Sequence, residues 1–415
     1  MSSRASQPVP TRANGVHRSM DYAAAAVLDM ALACTGIGLS LLARRDPAFH
    51  VEHFYSWLSF LFAVSGVGTA VGSIYLSRLS DRFGRRPMLL LSLAGLMLTS
   101  VLLGCSTRWW HLFAVMLVRS AFMGIFWPSL EARITDGAEG REMTRRLGLF
   151  GISFCTGLLA GQPFGGGLSD LHVRLPFFAA AALALLLLVG LVAVFRRDTA
   201  HDGHRSPAPG AGETDLEALA VPERLRSAFM VSAWIANAVS YAAAAILRQI
   251  FPSFARLELP DGLGFTGFEA GLVTSGTGLG MLAIFLLFGK FHFWHFRFRH
   301  LILGQALSVI GCVLFAACSG KGVLFAGACL FGTGAGIAYI SSIYYSLEGQ
   351  TARAGQSGLH EGILCFGFTA GMIITAIITR YLTSHRTPYW ICVVMLLAGI
   401  AAQVGLYARA RRAAE

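Results

Sequence analysis

Charged residues are scarce in this chain. Asp, Glu, Lys and Arg make up 13% of 415 residues, against about 25% in a soluble domain. A soluble fold of this size would lack the polar side chains to cover its surface. That excludes an ordinary cytosolic enzyme and a disordered protein. Proline is sparse too, at 13 residues, which excludes collagen-like and low-complexity chains. None of the eight cysteines forms a CxxC pair, and all lie in or at the ends of apolar runs. They read as small buried hydrophobes, not as metal ligands or disulfides, and a disulfide-rich secreted module is excluded. The first 20 residues have no apolar core, so no cleaved signal peptide is expected.

Apolar sequence is what the chain has in excess: 55% hydrophobic, with a mean hydropathy of +0.61. A helix needs about 20 apolar residues to cross a bilayer. Ten runs hold no charged residue: 54–77, 87–107, 147–169, 175–195, 227–247, 270–289, 301–320, 322–347, 362–379 and 387–408. Two more reach that length with one charge each, 22–43 around Asp29 and 109–130 around Arg119. The expected fold is therefore all-α and integral to the membrane, with twelve spans and the lipid bilayer as its first partner. The net charge of +11 sits in short loops between these runs, so no nucleic-acid partner is expected.

Counting Lys and Arg in the flanks orients the chain. With the N-terminus in the cytoplasm, 23 fall on the cytoplasmic side and 9 on the other, so both termini are expected to be cytoplasmic, in the cell (inner) membrane. The longest polar stretch, 196–226, is rich in Gly, Pro and charge and reads as a flexible cytoplasmic linker. It separates a bundle over 22–195 from one over 227–408, with tails at 1–21 and 409–415. Its His201 and His204 make a poor metal cage. The halves look related: Trp127-Pro128-Ser129-Leu130-Glu131 answers Tyr344-Tyr345-Ser346-Leu347-Glu348, and Phe150-Gly151 answers Phe366-Gly367. Matches at a nearly constant offset suggest a parallel repeat of six-helix units.

Between the second and third spans lies Ser77-Arg78-Leu79-Ser80-Asp81-Arg82-Phe83-Gly84-Arg85-Arg86-Pro87. Here the chain resembles the major facilitator superfamily, whose hallmark in this loop is G-x-L-a-D-r-x-G-r-[RK]. Leu79, Asp81, Arg82, Gly84, Arg85 and Arg86 match, and Ser77 replaces the leading glycine. Gly84 permits a tight turn. The resemblance implies two pseudo-symmetric six-helix bundles. It also implies a cytoplasmic latch in which Asp81 meets the start of the eleventh helix, at Gly355-Gln356-Ser357-Gly358. Arg85 would pair with Glu131. The equivalent loop of the second half, 289–300, has Phe293 where the acid would stand. Its His292, His295 and His300 read with the neighbouring aromatics as an interfacial belt and not as a metal site.

The fifth span carries Gly157, Gly161, Gly165 and Gly166 at the spacing of the family's antiporter signature, with Gln162 where its proline usually stands and Pro163 one position on. Glycines four apart also make a groove for close helix packing, and both readings stand. The resemblance implies a central site lined by spans 1, 2, 4, 5, 7, 8, 10 and 11. Polar and aromatic candidates there are Asp29, Arg119, Trp127, Gln162, Asn237, Tyr241, Tyr339, His360 and Glu361. His360 and Glu361 are either a proton relay or a hydrated helix start. From their depths, Asp29 and Arg119 are expected to interact, as a proton-coupling pair or as a static one. The expected function is secondary active transport of a small organic solute by alternating access, proton-coupled, with efflux by antiport favoured. The alternative is a membrane sensor or scaffold that retained the fold. No phosphate-binding loop with its lysine is found, so ATP is not expected to drive it. No enzyme activity, cofactor or metal is expected, and the protein is expected to be a monomer.

Overall fold

The structure is a computed structural model, which describes residues 12–76, 79–135, 138, 140–199, 222–291, 293–347, 353–382 and 384–413. Most of the expected linker, including His201 and His204, lies outside the described residues. The side chains of Asp81 and Ser357, on which the expected latch depends, also lie outside the described side chains.

Among the described residues, twelve helices are long and apolar enough to cross a bilayer. In chain order they are α1 Arg12–Arg45, α2 Phe54–Val71, α3 Arg85–Gly104, α4 Trp109–Thr135, α5 Gly140–Leu171 and α6 Leu175–Thr199. The second six are α7 Glu223–Gln249, α8 Gly267–Phe288, α9 Phe298–Ala317, α10 Lys321–Leu347, α11 Arg353–Tyr381 and α12 Thr387–Arg412. They form two six-helix bundles, and an even number of crossings returns both termini to one side. Several helices outrun the apolar runs that announced them. α1 begins ten residues before residue 22, and α5 seven before residue 147. A helix keeps its backbone hydrogen bonds when it leaves the hydrocarbon, so charged turns extend it into the headgroup layer.

Local sequence explains the breaks. Asp46 accepts from Ala48 N and turns the chain after α1. Thr266 and Glu269 form a reciprocal capping box that starts α8. Gly84, at φ +91° and ψ 148°, joins the short helix Leu79–Phe83 to α3. That backbone region is essentially restricted to glycine.

Glycine also sets how closely the helices approach. A side chain at Gly157, Gly161 or Gly165 would meet the backbone of α1 at Ala26, Met30 and Cys34 respectively, and one at Gly166 would meet Gly267 of α8. The second bundle repeats the device, with Gly367 and Gly371 of α11 against Ala238 and Ala242 of α7. Small residues at such contacts allow the van der Waals packing that holds helices together in lipid.

The apolar core comes in two pieces. One, near the termini, gathers Leu28, Phe126, Phe150, Phe285 and Tyr344; the other, toward the opposite side, gathers Phe49, Phe251, Phe315 and Tyr389. The loop between α8 and α9 joins the first piece. Trp294 stacks on Phe288 at 5.2 Å and His295 on Tyr344 at 4.2 Å, and both are buried. This corrects the expectation of an interfacial belt there: half the loop tucks inward because Trp294 Nε1 finds the Phe288 carbonyl. Gly84→Ala should cost about 1–3 kcal/mol of stability, read as a lower thermal midpoint in detergent. An unchanged midpoint would mean that the turn relaxes freely.

Candidate functional site

Between the two core pieces lies a cavity of about 1380 Å³, mouth included. Its lining comes from α1, α2, α4 and α5 of the first bundle and α7, α8, α10 and α11 of the second. Seven of the nine candidate residues line it: Asp29, Arg119, Trp127, Gln162, Tyr241, Tyr339 and Glu361. Asn237 and His360 stand behind the wall. Both are fully buried, and both reach Ser342 of α10: Asn237 Nδ2 donates to its hydroxyl at 3.4 Å, and His360 Nδ1 lies 2.9 Å from it. They tie α7, α10 and α11 together.

Arg119 is 3% exposed and hydrogen-bonded to two neighbouring helices. Nη1 donates to the Leu96 carbonyl at 3.2 Å and the Ser100 hydroxyl at 2.7 Å, and Nη2 donates to the Thr35 hydroxyl at 3.2 Å. No hydrogen bond or ion pair joins it to Asp29, which corrects the expected pair. Thr35 is six residues beyond Asp29 in α1, about 9 Å at a rise of 1.5 Å per residue. Arg119 therefore sits deeper than the count from span ends gave. The cation whose field reaches Asp29 is Arg248, at the end of α7.

Arg248 and its neighbour Gln249 line the cavity, and sequence reasoning missed both. The charge-free run stops at residue 247, which leaves Arg248 just outside the expected span. Helical spacing was the available signal. Arg248 follows Tyr241 by seven residues, two turns on the same face.

Toward the termini, two carboxyls meet across the bundles. Glu131 of α4 and Glu361 of α11 are in hydrogen-bond contact, with 1% and 6% exposure. The Tyr339 hydroxyl of α10 donates to Glu131 Oε1 at 3.1 Å. Arg85 reaches the same end of α4 and donates to the Ala132 carbonyl at 3.1 Å. Arg86 and Arg133 lie over the Phe195 ring at 5.4 and 5.1 Å, whereas Arg82 is exposed.

On the opposite side the bundles meet through Asp170, at the end of α5. Its two carboxylate oxygens accept from Gly267 N and Phe268 N at 2.9 Å each, in the first turn of α8. A carboxylate at a helix N-terminus is favoured by the unpaired N–H groups and by the macrodipole. Gln162 Oε1 accepts from Thr274 at 3.2 Å along the same α5–α8 seam. The described residues contain no cluster of His, Cys, Asp and Glu suited to a metal.

Two bundles around a central cavity, sealed by contacts on both faces, are the build of a membrane transporter for small solutes. Comparison with known proteins supplies the family. The sequence model of the Major Facilitator Superfamily matches residues 22–360, and the chain belongs to that family. It is a multi-pass membrane transporter and not an enzyme. The chain is 34% identical over 161 residues to the class C tetracycline resistance protein of Escherichia coli, a match spanning 39% of this chain and 40% of that one. It is 25% identical over 363 residues to the class B protein of Escherichia coli, covering 86% of each. A match to multidrug resistance protein 1 of Bacillus subtilis is 25% identical over 64% of this chain and 66% of that one. Among solved structures, the nucleoside transporter NupG superposes with a TM-score of 0.67 at 12% identity, over 94% of this chain and 98% of that one. That likeness concerns the fold.

The three-way clasp of Arg119 generates a test. Arg119→Gln should lose about 1.5–3 kcal/mol, the worth of hydrogen bonds to a charged group. Asp29→Asn, which breaks no hydrogen bond, should change stability much less. Equal shifts in thermal midpoint would contradict the assignment of Arg119 as the helix tie.

Proposed function

We propose that the protein exports a small organic solute by alternating access, in exchange for protons, from an inner membrane in which both termini are cytoplasmic. The observation that carries this reading is the Glu131–Glu361 contact. Two carboxylates repel at hydrogen-bond distance, so the contact holds a proton between them. The pair joins opposite bundles, and Glu361 faces the cavity. Opening the termini side pulls the carboxyls apart into water. A carboxyl in water is ionised at neutral pH, and the proton leaves. When that side closes again the bound solute takes the proton's place at Glu361, and the pair regains a proton from the far side, through the cavity, once the solute has left. The step that moves the cavity's access is thereby tied to protonation.

The direction of transport is supported by the relatives named for resistance to tetracycline and to multiple drugs. The bundles would rock about the cavity. Asp170 would hold the far side, and the latch implied for Asp81 would act beside Glu131 on the near side. Asp29 lines the cavity without a hydrogen bond and stands ready for solute or proton.

In vesicles of purified protein with an imposed pH gradient, tetracycline or another amphiphilic drug should accumulate against its gradient. Glu361→Gln keeps the hydrogen bond without a titrating proton. It should abolish gradient-driven accumulation while drug-for-drug exchange survives. Intact accumulation in both Glu361→Gln and Glu131→Gln would overturn coupling through the pair. Absence of drug-dependent proton flux in the wild type, across a drug panel, would overturn the antiport reading.

Orientation has its own test. On a cysteine-free background, Gly203→Cys should be labelled only from the cytoplasm. Glu52→Cys, in the exposed turn between α1 and α2, should be labelled only from outside. Labelling of both from one side would contradict the topology.

A further inference from the structure

Arg248 differs from the other arginines of the membrane interior. Arg119 spends donors on two neighbouring helices. Arg133 pairs with Asp21 at 2.8 Å, and Arg174 with Asp46 at 2.8 Å. Arg248 makes no hydrogen bond or ion pair among the described residues, and its Nε is buried without a partner. It lines the central cavity. A guanidinium offers five donors and does not lose its charge in proteins. The cavity therefore carries a positive charge to which no described residue is hydrogen-bonded or ion-paired.

Two neighbours are in the same condition. Asp29 lines the cavity and feels the field of Arg248, yet no hydrogen bond or ion pair joins them. Gln249 Oε1 is buried, also lines the cavity and has no partner. The rest of the wall is largely apolar and aromatic, including Phe62, Phe154, Phe331 and Phe368. The arrangement is one fixed cation and one fixed acid, both unspent, set in a greasy chamber.

Each class of solute can be weighed against that chamber. A sugar or polyol would bury hydroxyls against the aromatic wall and leave both charges unmatched. A simple amphiphilic cation would satisfy Asp29 but be repelled by Arg248. A neutral aromatic would fill the volume and strand both charges away from water, which is costly. A solute with a planar anionic group can take two parallel N–H bonds from Arg248. A cationic or donor group on the same solute closes the account at Asp29.

We propose that the cavity is a binding site for zwitterionic aromatic amphiphiles, with Arg248 holding the anionic group and Asp29 the cationic or donor group. This rests on the transport reading above and names the substrate class of that site. Arg248 is then the residue that decides charge preference.

Three probes that share one fluorophore and one linker test this. Nε-dansyl-lysine is the zwitterion. Dansylcadaverine is the same molecule without its carboxylate. Dansyl-6-aminohexanoic acid is the same molecule without its ammonium. Each is titrated into the full-length protein in lipid nanodiscs, with dansyl emission as the readout. The zwitterion should bind roughly tenfold to a hundredfold more tightly than dansylcadaverine, the range for a hydrogen-bonded charged contact. Arg248→Gln should erase that difference by weakening only the carboxylate-bearing probes, and Arg248→Lys should restore part of it. Asp29→Asn should weaken the zwitterion and spare dansyl-6-aminohexanoic acid. The wild-type comparison needs no variant, so a misfolded mutant does not remove the test. Dansylcadaverine binding as tightly as the zwitterion would overturn the proposal. So would an equal loss of all three probes in a folded Arg248→Gln protein, or no saturable binding of either carboxylate probe. Each of those results would leave proton-driven drug export, measured in vesicles, standing.

Discussion

A charge placed inside a bilayer must be answered inside the protein, because lipid offers it nothing. The interior of this transporter can be understood as a set of answers to that demand. Arg119 of α4 is answered by a carbonyl and two hydroxyls from α1 and α3, and becomes a structural tie. Glu131 and Glu361 meet each other and a tyrosine. Asp170 is answered by the first turn of α8. Asp29 and Arg248 receive no direct answer from the protein, and both face the cavity. The degree to which each charge is satisfied separates scaffold, gate and binding site.

The two faces of the molecule use different chemistry for the same task. The far side is closed by a carboxylate on a helix N-terminus, next to the glycine approach of Gly166 to Gly267. The termini side carries the carboxyl pair Glu131 and Glu361, which in the proposed mechanism shares a proton. In the proposed antiport, a seal that titrates on one side and a seal of fixed charge on the other would couple the rocking of the bundles to proton supply. The glycine seams between α5 and α1, and between α11 and α7, keep each rocking unit rigid. The motion then concentrates at the contacts between bundles.

The fold was legible because hydropathy in a membrane is nearly a direct record of structure. Twelve runs became twelve helices, and the motif around Gly84 fell on a turn that needs glycine. The site was legible in part. Seven of nine candidates line the cavity, because a polar or aromatic residue in an apolar span has few other reasons to be there. Asn237 and His360 were misread for the opposite reason: their polarity is spent on Ser342 behind the wall. Arg248 was lost by ending a span at its first charge, although α7 continues through Gln249. The Asp29–Arg119 pairing failed because depth was counted from span ends, and helix tilt and length shift those ends. Trp294 and His295 turned inward because a three-dimensional core, invisible in a loop's composition, was there to receive them.

The central claim is that a proton shared by Glu131 and Glu361 closes the termini side. Spin labels at Phe83→Cys and Leu359→Cys, both exposed on opposite bundles near that side, report its opening directly by double electron–electron resonance. The account predicts a short distance at acid pH that gives way to a longer one as pH rises, with the Glu361→Gln distance distribution independent of pH. A wild-type distance distribution that ignores pH, or a Glu361→Gln protein whose opening still follows pH, would contradict it.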